Sequence, residues 1–382
     1  KITFDDVKKS LKPNEVAIEM VRFRYFDHNF TDSIIYAAIY IKPDMKKPAP
    51  IILGNGKSME GRYFRLYRNS IINEIDDNIS YHIYWEPIIK ELGQTSTIYL
   101  SADGIYNQIN LEALLMPNGK YVLDNSNIVL VSNTRDLYLR RIKSIQRAEN
   151  KAYMFGNPAF YLTDTRSYAP ISQLPGTEKE ISQLKFLLSE KGWKAEEYIE
   201  HRATEERIKE LNNPKVFHVA THGFYKPTPT LNAEIELEGN EAALSRNPLL
   251  RSGLLLTGAG DLLEKTDYNF NMDNGILTAY EAMNLNLDQT DLVVLSACET
   301  GLGEVKGSEG VFGLQRAFKL AGVDFIIMSL WQVPDEQTVE LMRLFYTTWE
   351  KGMDIREAFF AAQKEMSKEY EPYFWAGFVL ME

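Results

Sequence analysis

Residues 291–335 read DLVVLSACETGLGEVKGSEGVFGLQRAFKLAGVDFIIMSLWQVPD and decide the fold of this chain. They hold an apolar strand at 291–298, an amphipathic helix at 311–322 and a second apolar strand at 324–333. Both strands are apolar at nearly every position, which is typical of parallel strands buried on both faces. A strand, a helix and a strand in this order predict part of a parallel α/β sheet.

The same alternation continues on both sides of this stretch. Apolar runs predict further strands at 151–158, 216–223 and 374–380. Helical periodicity predicts helices at 177–191, 204–211, 336–349 and 355–368. Thr177, followed by Glu180, is expected to cap the first of these helices. The sequence therefore predicts a mostly parallel sheet covered by helices on both faces.

The first 140 residues have a mixed α/β pattern. Strand-forming residues at 16–26 and 34–41 stand on either side of a polar turn, DHNFTDS, at 27–33. The later stretch RRIKSIQRAENK is basic and polar and has no strand pattern. We therefore predict two halves, 1–140 and 151–382, joined by a linker at 141–150.

Composition narrows the class of protein. Of the 382 residues, 45% are apolar and 25% are charged, which is typical of a folded globular chain. The net charge of −11 argues against a nucleic-acid partner, because phosphate binding needs clustered Lys and Arg. The acidic balance either favours basic partners or is an ordinary solvated surface.

Several further features bear on location and cofactors. A single cysteine, Cys298, rules out an intrachain disulfide and favours a reducing compartment, so we predict a cytoplasmic protein. No apolar run is long enough for a membrane span. The first residues, KITFDDVKK, are not typical of a signal peptide and lack an initiator Met, so a longer parent protein is expected. No zinc or calcium ligand pattern is present, and neither a metal nor a cofactor is expected.

Two of the predicted strands end in reactive residues. VFHVAT leads into His222 and Gly223, and DLVVLSA leads into Cys298. Ligands of open α/β sheets lie beyond the carboxyl ends of the strands. If these strands are neighbours, the imidazole and the thiol emerge at one edge, where His222 takes the proton of Cys298. The backbone N–H groups of Gly223 and Cys298 are then the candidate donors to an oxyanion.

Other interpretations compete with this one. A cysteine at a strand end is usually a small buried apolar residue, and an inactive domain would keep the fold as a scaffold. GLGEVKGSEG at 301–310 lies between a strand and a helix as a phosphate loop would, but it lacks the glycine and lysine spacing of nucleotide-binding motifs. His218 lies on the same strand face as His222 but four residues, or about 13 Å, back along the strand. We therefore expect it to point into the surroundings of the strand and not into the reaction.

At these residues the sequence resembles the CHAT family, whose domains are similar to caspases and separases. Caspases and separases are cysteine peptidases with a His-Gly and an Ala-Cys motif. The stretches that carry the resemblance are STIYLSADGIYNQINLEAL (96–114), KAYMFGNPAFY (151–161), LPGTEKEI (174–181), VFHVATHG (216–223), PLLRSGLLL (248–256), GILTAYEAMNLNL (275–287), the stretch 291–335 and YFWAGFVL (373–380). The resemblance implies a caspase-like three-layer α/β/α fold with an N-terminal pseudo-peptidase half and an active C-terminal half. It also implies that His222 and Cys298 are the catalytic pair.

The resemblance further implies a regulated cysteine endopeptidase that cleaves a protein substrate and is preceded by tetratricopeptide repeats or switched on by a partner. Asp335 in WQVPD matches an acidic residue that pairs with a basic P1 side chain in separase-like enzymes, although it also fits an N-cap after Pro334. Trp331 and Glu309 are expected to line the same cleft, and for Glu309 a solvated loop position stays open. The polar segment 265–275 is either an active-site lid or a mobile insertion.

Overall fold

The computed structural model describes residues 2–142, 148–162, 171–225, 248–263, 275–296 and 309–382. The chain forms two compact units, the first made of residues 1–145 with 364–382 and the second of residues 146–363. Among the described residues, no helix is both long and apolar enough to cross a membrane.

The strands are numbered in chain order. They are β1 (Glu15–Asp27), β2 (Asn29–Ile41), β3 (Ala49–Asn55), β4 (Thr97–Ser101), β5 (Ile128–Leu130), β6 (Lys151–Pro158), β7 (Lys194–Glu200), β8 (Val216–Ala220), β9 (Gly223–Tyr225), β10 (Ser252–Leu255), β11 (Ile276–Thr278), β12 (Leu292–Leu295), β13 (Phe325–Ser329) and β14 (Phe378–Met381).

The helices are numbered in the same way. They are α1 (Phe4–Ser10), α2 (Gly56–Ser58), α3 (Phe64–Ile72), α4 (Ser80–Tyr84), α5 (Glu86–Leu92), α6 (Asp136–Ile142), α7 (Pro175–Glu190), α8 (Glu205–Lys209), α9 (Ala259–Leu263), α10 (Ala279–Ala282), α11 (Glu309–Leu320), α12 (Asp335–Glu350), α13 (Ile355–Met366) and α14 (Pro372–Trp375). A π-helical turn, Met59–Tyr63, joins α2 to α3.

The sheet of the first unit has the strand order β3-β2-β1-β4-β5-β14. Strands β1 to β3 pair antiparallel, whereas β4 is parallel to β1, β5 to β4 and β14 to β5. The segment 364–382 belongs to this unit, where Asn110 Nδ2 donates to the carbonyl of Ala376 at 2.9 Å. The assignment of a pseudo-peptidase and a catalytic half stays a prediction, because compactness does not report activity.

The predicted polar turn at 27–33 is wrong. Strands β1 and β2 continue through it as a long hairpin, in which Asp27 pairs with Asn29 and the chain reverses at His28. His28 has the left-handed φ of 56° that such a tight reversal requires. Phe26 and Phe30 face each other across the ladder with ring centroids 5.2 Å apart, and this aromatic pair favours strand over loop.

The sheet of the second unit is parallel and has the order β13-β12-β8-β6-β7. Consecutive residues of β8 point to opposite faces. His218 bonds to Glu180 of α7 and to Tyr346 of α12, while the Phe217 ring packs 6.0 Å from that of Phe318 in α11. Helices therefore cover both faces, which confirms the predicted α/β/α arrangement. A small antiparallel sheet, β11-β10-β9, was not predicted.

Candidate active site

The two strands that lead to the predicted catalytic residues are parallel neighbours. In their register Leu295 of β12 pairs with Val219 of β8. The backbone N–H of Ser296 continues this pairing by donating to the carbonyl of Val219 at 3.0 Å. Both strands therefore end at the same edge of the sheet. His222 lies two residues beyond the end of β8, after Thr221, whereas Cys298 lies outside the described residues.

The side chain of His222 is half-buried and held by two contacts. Its Nε2 lies 2.9 Å from the backbone carbonyl oxygen of Ser172, and its ring centroid lies 5.2 Å from that of Phe160. Because a carbonyl only accepts hydrogen bonds, Nε2 carries the hydrogen. The neutral ring then has its lone pair on Nδ1, which is the nitrogen able to take a proton.

The backbone of His222 is fixed as well. Its carbonyl accepts a hydrogen bond of 2.8 Å from the N–H of Leu255, and Gly223 begins β9 opposite Leu254 of β10. The small antiparallel sheet thus anchors the chain immediately after the histidine. Whether the N–H groups of Gly223 and Cys298 form an oxyanion hole stays a prediction.

Burial lowers the pKa of His222 below its usual value, and the hydrogen bond to Ser172 only partly offsets this effect. Desolvation disfavours the charged imidazolium, so the ring is neutral at neutral pH. A neutral imidazole is the form that can accept a proton from a thiol.

Asn157 holds the segment that carries Ser172. Its side-chain Oδ1 accepts from the N–H of Leu174 at 3.0 Å, and its Nδ2 donates to Glu178 Oε2 at 3.0 Å. Its own N–H donates to Thr177 Oγ1 at 2.8 Å. Asn157 is buried, and its backbone has a left-handed conformation with a φ of 45°. Asn157 is not among the predicted site residues, although an asparagine between Gly156 and Pro158 at a strand end is a turn signal.

The predicted capping of the first catalytic-half helix by Thr177 is wrong. Helix α7 begins at Pro175, and Leu174 occupies the N-cap position without a side-chain cap. Proline suits the first helical position because its missing N–H has no intrahelical partner there. Thr177 lies inside the helix, where its hydroxyl donates to the carbonyl of Leu174 at 2.7 Å.

The predicted substrate-binding residues have different settings. Asp335 is exposed and is the first residue of α12, so it is not the N-cap, which is Pro334. A Cβ on Gly176 would overlap its carboxylate, so Asp335 lies directly against the start of α7. Trp331 is buried at 4% exposure. Glu309 begins α11, and its side chain lies outside the described residues, as does nearly all of segment 265–275.

Asp335 and His222 are connected through one short segment. The carbonyl of Ser172 binds the imidazole, and Gly176 four residues later touches the carboxylate. Four residues span at most about 14 Å. Within the described ranges, no group of three or more His, Cys, Asp or Glu side chains could hold a metal ion.

The parallel sheet, its two helical layers and the histidine at its carboxyl edge define a caspase/separase-like fold. A family model for the CHAT domain matches residues 80–382, so the chain belongs to the CHAT family. In a comparison of structures, the separase of the Saccharomyces cerevisiae separase–securin complex matches 99% of this chain and 30% of its own, with a TM-score of 0.52 and 10% identity. At that identity the likeness concerns the fold alone.

Two curated relatives are tetratricopeptide repeat proteins by name. Tetratricopeptide repeat protein 28 of Mus musculus is 25% identical over 280 residues, which cover 69% of this chain and 11% of the relative. Its counterpart from Homo sapiens is 26% identical over 294 residues, covering 71% and 11%. The match therefore spans only 11% of the length of these relatives.

Proposed function

We propose that this chain is a cysteine endopeptidase in which His222 is the base and Cys298 the nucleophile. The observation that carries the proposal is the hydrogen bond from His222 Nε2 to the Ser172 carbonyl. It fixes the tautomer in which Nδ1 is the basic nitrogen. It also orients the ring through Nε2, the nitrogen that does not take the proton, as a third group does in other nucleophile–base pairs.

The register of the two strands supports the same pairing. Residues of β8 and β12 that pair are 76 positions apart in the sequence, as with Val219 and Leu295. His222 and Cys298 are separated by the same number of positions. This equal spacing in the sequence supports the pairing of Cys298 with His222 in the proposed reaction.

The proposed reaction passes through a thioester. The Cys298 thiolate attacks the scissile carbonyl while His222 holds the proton taken from the thiol. The N–H groups of Gly223 and Cys298 stabilise the oxyanion. His222 then gives its proton to the leaving amine as the C–N bond breaks. In the second half, water loses a proton to His222 and attacks the thioester, which releases the carboxylic acid and the thiol.

The pH dependence of kcat/KM should depend on the environment of His222. Because the base must be neutral and its pKa is lowered by burial, kcat/KM should fall only as the pH drops below about 6.5, the usual histidine value. Phe160→Leu exposes part of the His222 ring, which weakens the effect of burial and raises the pKa of His222. The fall in kcat/KM at acid pH should therefore begin at a higher pH. An acid limb well above pH 6.5 in the unmodified protein would contradict the assignment.

Asp335 is proposed to select a basic P1 side chain, with Trp331 and Glu309 lining the same cleft. Its carboxylate is exposed and tethered near His222 through the segment that ends at Gly176. A carboxylate pairs best with the charged head of Arg or Lys.

The specificity proposal is tested with peptides that differ only at P1. Asp335→Asn should lower kcat/KM for an Arg peptide by about 100-fold, through loss of a charge-assisted pair, and leave a Leu peptide unchanged. The matched control is Glu336→Gln, which removes the neighbouring exposed carboxylate of α12 and should leave both substrates unchanged. Equal cleavage of Arg, Leu and Asp peptides by the unmodified protein would rule out the selection.

The peptidase itself is tested by comparing new protein termini. Iodoacetamide at low concentration reacts fastest with thiols, and Cys298 is the single cysteine, so the blocked protein is a control without a mutation. Incubation of untreated protein with a lysate should produce new N-termini that the blocked protein does not produce. Identical termini in both samples, under every activating condition tried, would leave the inactive scaffold as the better interpretation.

The proposal assigns different roles to the two units. In the first unit the parallel strand β4 is followed by Asp103, whose carboxylate accepts from the N–H groups of Arg22 at 2.7 Å and Gly104 at 2.8 Å. These bonds hold the carboxylate in the fold, and residues 1–140 contain no cysteine and no His-Gly pair. We infer that this unit, which includes predicted residues 1–140, is the pseudo-peptidase half and that catalysis lies within 151–382.

The proposed peptidase also needs a regulator and a cellular location. The relatives named for tetratricopeptide repeats extend well beyond the matched region. We propose that such repeats, or an activating protein partner, regulate this peptidase on its protein substrate in the cytoplasm. The net charge of −11 supports the absence of a direct nucleic-acid partner.

A further inference from the structure

A buried polar network lies beneath the edge of the sheet that carries His222. Glu180 of α7 is its centre: Oε1 lies 2.8 Å from His218 Nε2, and Oε2 lies 3.1 Å from the Ser296 hydroxyl. His218 Nδ1 lies 3.2 Å from the Tyr346 hydroxyl. All four side chains are buried, with exposures from 0 to 8%.

One arrangement of the hydrogens gives every polar atom of this network a partner. Burial raises the pKa of Tyr346 well above its usual value, so its hydroxyl keeps its proton and donates to His218 Nδ1. His218 then donates from Nε2 to Glu180, and the Ser296 hydroxyl donates to the other carboxylate oxygen. Both oxygens of Glu180 and both ring nitrogens of His218 are thereby satisfied.

A network of this kind is not the simplest way to fill a core. Replacing buried ionic groups by apolar residues of similar size is often neutral or stabilising, whereas removing one partner is strongly destabilising. Fully satisfied polar networks instead specify a unique arrangement of the elements that they join. Here the joined elements are α7, α12, strand β8 and the end of strand β12.

Ser296 is the member of this network that is nearest in sequence to the proposed nucleophile. It follows β12 directly and precedes Cys298 by two residues. Its backbone N–H is bonded to Val219 of β8 and its hydroxyl to Glu180 of α7. Two hydrogen bonds to different elements therefore hold Ser296 itself.

We propose that Glu180 and Ser296 are positioning residues that set the direction in which the chain leaves β12 toward Cys298, and that His218 ties this setting to the strand of His222. The inference rests on the proposed Cys298–His222 pair. It gives the buried Glu180 and His218 a role in aligning the thiol with the imidazole, although neither touches the substrate.

The mildest test is Ser296→Ala, because it removes one hydroxyl and leaves the His218–Glu180 pair intact. A small error in nucleophile placement is costly, since displacement by about 1 Å can cost 100-fold in rate. We expect kcat to fall about tenfold while KM changes less than about twofold, because substrate contacts are untouched. Ser296→Thr returns the hydroxyl and should restore most of the rate.

A second readout does not need peptidase activity. Alkylation of Cys298, the single cysteine, by iodoacetamide reports the thiolate, which a well-placed imidazole favours at low pH. Ser296→Ala should slow alkylation about tenfold at pH 6.5 and leave the rate at pH 9.5 unchanged, where the thiol is ionised in any case. Leu188→Ala is the control for general destabilisation, because Leu188 is buried in the same helix and outside the network.

The outcomes separate the inference from the function on which it rests. Slower alkylation in Ser296→Ala at pH 6.5, recovery in Ser296→Thr and no change in Leu188→Ala support the positioning role. A rate that responds to His222→Ala but not to Ser296→Ala overturns the positioning role alone. An equal slowing in Leu188→Ala also overturns it, by showing that loss of stability suffices. An alkylation rate that is unchanged in His222→Ala overturns the catalytic pair and this inference together.

Discussion

Replacing Cys298 with alanine is expected to lower kcat by about 10⁴-fold or more, which amounts to loss of peptide hydrolysis. The thioester route depends on the sulfur, and alanine has no atom that can form the intermediate. The measurement is turnover of a P1-Arg peptide under conditions in which the unmodified protein is active. Burst kinetics with an activated ester would show the acyl-enzyme in the unmodified protein and not in the variant.

The control for this variant is Cys298→Ser, which keeps the size of the side chain but supplies a much weaker nucleophile. Both variants should retain the thermal stability of the unmodified protein to within a few degrees, so that lost activity is not lost structure. Turnover in Cys298→Ala at the level of the unmodified protein would exclude this residue as the nucleophile.

His222→Ala is expected to lower kcat/KM by about 10³-fold, the usual contribution of a general base. The loss should be largest near neutral pH, where the thiol depends on the imidazole for its ionisation, and smaller at high pH. The truncation also leaves a gap beside Phe160 and the Ser172 carbonyl. Added imidazole should enter this gap and restore part of the rate.

The matched control is His201→Ala, which removes an exposed histidine of the same unit. It should leave kcat/KM within about twofold, because exposed side chains away from a site contribute little. If His201→Ala and His222→Ala behave alike, His222 is not the base.

Most elements of the second unit could be predicted because each has its own periodic pattern. The stretch 291–335 contains β12, α11 and β13 close to their predicted positions. Thr204 caps α8 as its place before an acidic first turn suggests, with its hydroxyl oxygen accepting from the N–H of Arg207. The start of α7 was predicted wrongly because the sequence offers two helix-start signals, a proline at 175 and a threonine at 177. The helix begins at Pro175, which suits the first helical position.

The network around Glu180 could not be predicted in the same way. In the sequence, Glu180 fits part of a capping box, and the position of His218 indicates only that it points into the surroundings of its strand. Their partnership joins residues 38 positions apart, and Tyr346 lies 128 positions beyond His218. Periodicity reports only which face of its own element a residue occupies, so it cannot name a partner on another element.

By itself, the sequence determined the α/β class and the parallel strands, because burial on both faces leaves a continuous apolar pattern. Only the tertiary structure decided what orients the histidine. The group is the backbone carbonyl of Ser172, 50 residues away in the chain, and every residue has such a carbonyl. Its role follows from the packing of α7 and Asn157, which no local pattern encodes.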